Sequence, residues 1–103
     1  MLKQVKIGYL KYQVVEVESV NKFEPRKGEI DLYQRQIRID KDMTDQDKRE
    51  TLLHEIIHGL DEFIGIDLEE SQVRKLGAGL ATVFEDNPEL LSTSLSSFFF
   101  YFT

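Results

Sequence analysis

Residues 44–65 read TDQDKRETLLHEIIHGLDEFIG, and the fold turns on them, because here the hydrophobic period changes from two residues to about 3.6. Leu53, Ile57, Leu60 and Ile64 recur at helical spacing up to Gly65, a residue suited to ending a helix. Thr44 stands three residues ahead of Asp47, which places an N-cap hydroxyl before acids at the helix's positive end. Upstream the pattern is that of strands. Val5 and Ile7, then Tyr12, Val14 or Val15, Val17 and Val20 alternate along residues 3–20 and predict two strands, with Gly8 near a turn or bulge. FEPRKGE (23–29) is a loop by its Pro and Gly, and EIDLY (29–33) and QIRID (36–40) form a hairpin around Gln34 and Arg35. Downstream, a GID link leads to a second helix, with Asp67 as its cap and Val73, Leu76, Leu80, Val83 and Phe84 as its apolar stripe. Asn87 and Pro88 would open a short third helix through LLSTSL (90–95). The expectation is an α+β fold: an antiparallel sheet of three to four strands followed by two or three helices.

At 103 residues the chain supports one core, so residues 1–103 are read as a single domain. Thirteen Lys and Arg against 19 Asp and Glu give a net charge of −6, which opposes direct binding to nucleic acid or to an anionic membrane. With no cysteine, disulfides and thiolate metal sites are excluded, and any metal must be held by His, Asp or Glu. Lysines interrupt the apolar residues of MLKQVKIGYLKYQ, unlike a signal peptide, and the apolar run Phe98 to Phe102 is far short of the roughly 20 residues that span a bilayer. These features predict a cytoplasmic protein.

Both histidines of the chain lie in the decisive stretch. His54 and His58, at i and i+4, project side by side from one helix face, so two imidazole nitrogens can reach one zinc ion at about 2.0 to 2.1 Å. Glu55, about 100° round the helix, is offset from those ligands and placed to act as a base on a water at the metal. A single histidine on an amphipathic helix is usually filler, but the HEIIH spacing argues for a metal. Leu52, Leu53, Ile56 and Ile57 are expected to surround the pair with apolar side chains. Tetrahedral zinc with one water needs a third protein ligand, and only acids remain. Asp61 shares the histidine face but is short enough to serve behind the ligands instead. Glu69 falls near the middle of the second helix's stripe, whereas Glu70 has an ordinary use as the capping-box partner of Asp67. Periodicity alone slightly prefers Glu69.

The stretch TLLHEIIHGLDEFIGIDLEESQVRKLGAGLATVFEDNPEL, with the preceding GEIDLYQRQIRID, resembles the ImmA/IrrE family of small zinc metallopeptidases found in phages and mobile elements. In that family HExxH is followed by a helix of pattern Glu-x-x-Ala-x-x-Phe-Ala whose Glu completes the metal site. Glu70, Val73, Leu76 and Gly77 stand at those spacings, so the resemblance implies Glu70 as third ligand, with Zn2+ as cofactor and Glu55 as catalytic base. It further implies an endopeptidase acting in a bacterial host's cytoplasm on a protein or peptide substrate such as a helix-turn-helix transcriptional repressor, supplied as a separate protein. Tyr33 or Arg35 on the hairpin is a candidate second donor to the oxyanion, against the plainer and favoured reading of a half-buried turn tyrosine and a solvated arginine, and the edge strand would hold an extended substrate. The rival expectation is an inactive zincin-like domain that recognises a host or phage protein without turnover. SSFFFYFT (96–103) bears on it, because five consecutive aromatics must pack on the domain or on a partner, which includes a second copy of the chain.

Overall fold

The computed structural model describes residues 1–21, 23, 24 and 26–90. Strands β1 (Gln4–Ile7), β2 (Leu10–Val17), β3 (Gly28–Asp31) and β4 (Gln36–Asp40) precede helices α1 (Asp45–Ile64) and α2 (Glu70–Asp86), an α+β arrangement of small size. The expected third helix and the aromatic run fall largely or wholly in residues 91–103, outside the described residues.

Two hairpins build the sheet. Gly8, with φ +64°, makes the tight turn between β1 and β2. Asp31 holds the β3–β4 turn, its Oδ1 accepting the N–H groups of Tyr33 (3.0 Å) and Gln34 (2.9 Å). The sheet is mixed rather than wholly antiparallel: its order is β1-β2-β4-β3, and β2 runs parallel to β4. The segment between β2 and β3 carries the chain across the sheet, so the second hairpin docks with β4 inward and β3 as the free edge. Hence Ile37 and Ile39 of β4 are fully buried, in a core shared with Ile7, Tyr12 and Val14.

Helix α1 starts as expected, Asp47 N–H donating to Thr44 Oγ1 at 3.1 Å, and stops at Gly65 (φ +77°). Leu52 and Ile56 pack on the sheet core, and the helix lies close to β3 because position 28 is glycine. A Cβ on Gly28 would stand 2.5 Å from Thr51 Cγ2 and 3.2 Å from the Arg38 carbonyl oxygen. Gly28→Ala is therefore expected to cost about 1–3 kcal/mol in chemical denaturation.

The cap of α2 differs from expectation. Asp67 adopts φ +66° in the link, and Glu69 is the N-cap, its N–H donating to Gln72 Oε1 at 2.9 Å. The link is longer because Asp67 and Leu68 are bonded back to the end of α1, so Glu70 becomes the first helical residue and not a capping-box partner. Packing also departs from the periodicity. Ile57 and Val73 are buried, but Leu60, Ile64, Leu76, Leu80 and Val83 stay exposed, because among the described elements α2 packs only on α1 and forms a third layer beyond it. No described helix is long and apolar enough to cross a membrane.

Candidate metal centre

Helix α1 presents one face to the sheet and another to α2. Thr51, Glu55 and Gly59 are buried on the sheet side, and His54 and His58, about 100° round from Glu55 and Gly59, look across to α2. Gly77 allows α2 to lie close there: a Cβ at that position would already touch His54 Cα at 3.4 Å. Two turns earlier, at the start of the same helix, Glu70 reaches the histidines.

Glu70 Oε1 is 2.7 Å from His54 Nε2, and Oε2 is 2.9 Å from His58 Nε2. The two imidazoles meet edge to face at 4.9 Å between ring centres. All three donor atoms lie within 4.8 Å of one another, and this is the one such His and carboxylate group among the described residues. Two imidazole nitrogens and a carboxylate oxygen, without sulfur, form a donor set that suits zinc with one open position. Glu69, left open by the sequence, is the N-cap and lies outside the group.

Glu55 is the buried acid of the centre, 6% exposed. Burial pushes its carboxyl up to about 7, the negative charges of Glu70 and Glu29 add to the effect, and Arg26 opposes it. Below about pH 7 the folded protein keeps a proton that the unfolded chain has already released, so this group's contribution to stability falls as pH rises from about 4.5 to 7. With a chelator present, Glu55→Gln should therefore be more stable than the parent by about 3 kcal/mol at pH 8, the gap closing at pH 4. Denaturant unfolding of both proteins across that range measures it.

Asp61 stands behind the group of His54, His58 and Glu70, not in it. Its Oδ1 accepts Asp67 N–H at 2.7 Å and its Oδ2 accepts Leu68 N–H at 3.1 Å, which fixes the link that delivers Glu70. Should the group hold zinc, Asp61→Ala is expected to weaken that binding tenfold to a hundredfold in competition with a chromophoric chelator.

The group opens onto a cleft of about 840 Å³ between β3, α1 and α2. Contrary to the apolar surround expected, most of the residues that line it carry ionisable side chains, and Leu52 and Ile56 pack on the sheet core instead. Tyr33 is 98% exposed in the β3–β4 turn, and neither it nor Arg35 lines the cleft. The arginines that do are Arg26 and Arg74. Arg74 was legible as the residue one turn after Glu70 on the same helix face, whereas Arg26 arrives from a loop with no local signal.

The free edge of β3 borders the same cleft. Asp40 N–H donates to the Lys27 carbonyl at 2.8 Å, so residues 27, 29 and 31 bond to β4 and the N–H and C=O groups of Gly28 and Ile30 point outward. The chain matches no known family model, no curated protein and no solved structure.

Proposed function

We propose that this chain is a zinc-dependent endopeptidase of the ImmA/IrrE kind, with His54, His58 and Glu70 as metal ligands and Glu55 as general base. One observation carries the reading: both imidazole Nε2 atoms converge on the two carboxylate oxygens of an acid from another helix, at 2.7 and 2.9 Å. A surface ion pair explains this less well, since Glu70 engages the two histidines of an HEIIH sequence with a buried glutamate beside them. Bound zinc would lower the pKa of the attacking water and polarise the scissile carbonyl.

The protein's own groups do the rest. A Glu55 carboxylate oxygen takes the proton from the attacking water and returns it to the leaving amine nitrogen. Its raised pKa suits both roles near neutral pH. Outward N–H and C=O groups of Gly28 and Ile30 are placed to pair with an extended peptide, which would lie along the cleft as an added strand. The substrate class proposed is a protein or peptide, and the resemblance to the ImmA/IrrE family adds a transcriptional repressor of a phage or mobile element as one example.

Metal analysis tests the foundation. After incubation with zinc and gel filtration, the protein should carry one zinc per chain, and the double variant His54→Ala, His58→Ala should carry none. A parent protein that binds no zinc would sink the proposal.

A further inference from the structure

The two arginines of the cleft are not equivalent. Arg26, in the loop before β3, is committed: its Nη2 donates to Glu24 Oε2 at 2.5 Å, its Nε donates to the same oxygen at 3.1 Å, and Glu29 stands 4.0 Å away. Arg74 of α2 lines the same cleft and makes no ion pair or hydrogen bond among the described residues. Its position makes that unexpected. A glutamate four residues before a cation on a helix is placed to pair with it, in the more favourable of the two orders. Glu70 and Arg74 have this spacing, but both Glu70 oxygens are turned to the imidazoles, Oε1 to His54 and Oε2 to His58. The geometry that completes the histidine group therefore takes away the natural partner of Arg74. A permanent positive charge is left about 6 Å along the helix from Glu70, on the same face and at the cleft. Lys27, the other cation there, stands beside β3 rather than on the helix that carries Glu70.

We infer that Arg74 is the oxyanion donor of the centre, its guanidinium N–H groups bonding the oxygen of the scissile carbonyl during attack. The assignment rests on the endopeptidase reading of His54, His58, Glu70 and Glu55. In that reaction the water oxygen bonds to the carbonyl carbon, the C=O π pair moves onto the carbonyl oxygen, and the proton of the water passes to Glu55. A cationic donor already in place beside the developing negative charge lowers the barrier. Tyr33 and Arg35, the candidates from the sequence, do not line the cleft, and Arg26 is held by Glu24. Arg74 has no such commitment. Its planar guanidinium offers several N–H groups in fixed geometry, and none must first be released from a protein partner. Successive turns of α2 thus supply a ligand through Glu70 and a donor through Arg74.

Binding of a transition-state mimic tests this without turnover. The probe is an alanine tetrapeptide with blocked ends and a phosphinate in place of its central amide, so the tetrahedral phosphinate is its only anion. Parent, Arg74→Ala, Arg74→Lys and Lys75→Ala proteins are loaded with zinc, assayed for metal, checked by far-UV circular dichroism and titrated calorimetrically with the probe. Lys75 is the neighbouring exposed cation and does not line the cleft. The expected result is one zinc per chain throughout. Probe affinity should fall about a hundredfold in Arg74→Ala, less in Arg74→Lys, and stay within about threefold of the parent in Lys75→Ala. Should alanine disturb the helix, Arg74→Lys decides, since it keeps the charge and loses the planar fork; affinity equal to the parent's then rejects the assignment. An Arg74→Ala protein that is folded, zinc-loaded and undiminished in probe affinity overturns the assignment alone and leaves the zinc reading standing. Zinc lost with Arg74→Ala overturns it in favour of a role in holding Glu70. A zinc-loaded parent that does not bind the probe also overturns it, whereas a parent that takes up no zinc removes the endopeptidase reading and this assignment together.

Discussion

Glu55→Gln is expected to keep its zinc and lose peptide hydrolysis by about 10² to 10⁴ in rate. Gln has nearly the shape of Glu but cannot take a proton from water at neutral pH, so the change removes the proposed base and leaves the proposed ligands His54, His58 and Glu70 in place. The same variant should be the more stable protein in chelator at pH 8, because an amide can be buried beside Glu70 and Glu29 without the charge that burial penalises. Loss of activity with a gain in stability separates removal of a base from damage to the fold. A bacterial lysate incubated with parent or variant, followed by sequencing of new peptide N-termini, measures the activity arm. Termini produced by the parent and absent with the variant are expected. If the parent produces none that the variant lacks, the endopeptidase reading fails and recognition without turnover takes its place.

Glu70→Ala should weaken zinc binding on the order of a thousandfold. Zinc held by a small protein site is bound by about 10–16 kcal/mol, and one ligand of three protein ligands and a water carries roughly 4 kcal/mol of it. The effect on folding should be small, since Glu70 is more than half exposed and bridges the helices only through the two imidazoles. Glu69→Ala is the matched control. It should shift the start of α2 and leave zinc affinity within about tenfold of the parent, because Glu69 is the N-cap and lies outside the group of His54, His58 and Glu70. Isothermal titration with a competing chelator distinguishes them. Equal losses for the two variants would place the third ligand elsewhere.

Local patterns were legible residue by residue. Alternation in residues 3–20 and 29–40 marked both hairpins, Thr44 and Gly65 marked the limits of α1, and the i, i+4 spacing put His54 and His58 on one face, because turns, caps and helical rotation depend on near neighbours in the chain. What joins distant segments was not legible. The parallel pairing of β2 with β4 follows from how two hairpins dock, and neither hairpin's alternation encodes the other's direction. Asp67 looked like a cap but is drawn into the link by the Asp61 carboxylate, a contact across six residues that no capping pattern includes. Leu60, Leu76 and Leu80 had the period of core residues and remain exposed, since periodicity says which face is apolar and not whether another layer covers it. Sequence alone thus determined a helix with two aligned histidines and a glutamate beside them. Tertiary structure decided that Glu70, rather than Glu69 or Asp61, meets them, because the length of the link and the close approach at Gly77 set which acid of α2 arrives at the imidazole nitrogens.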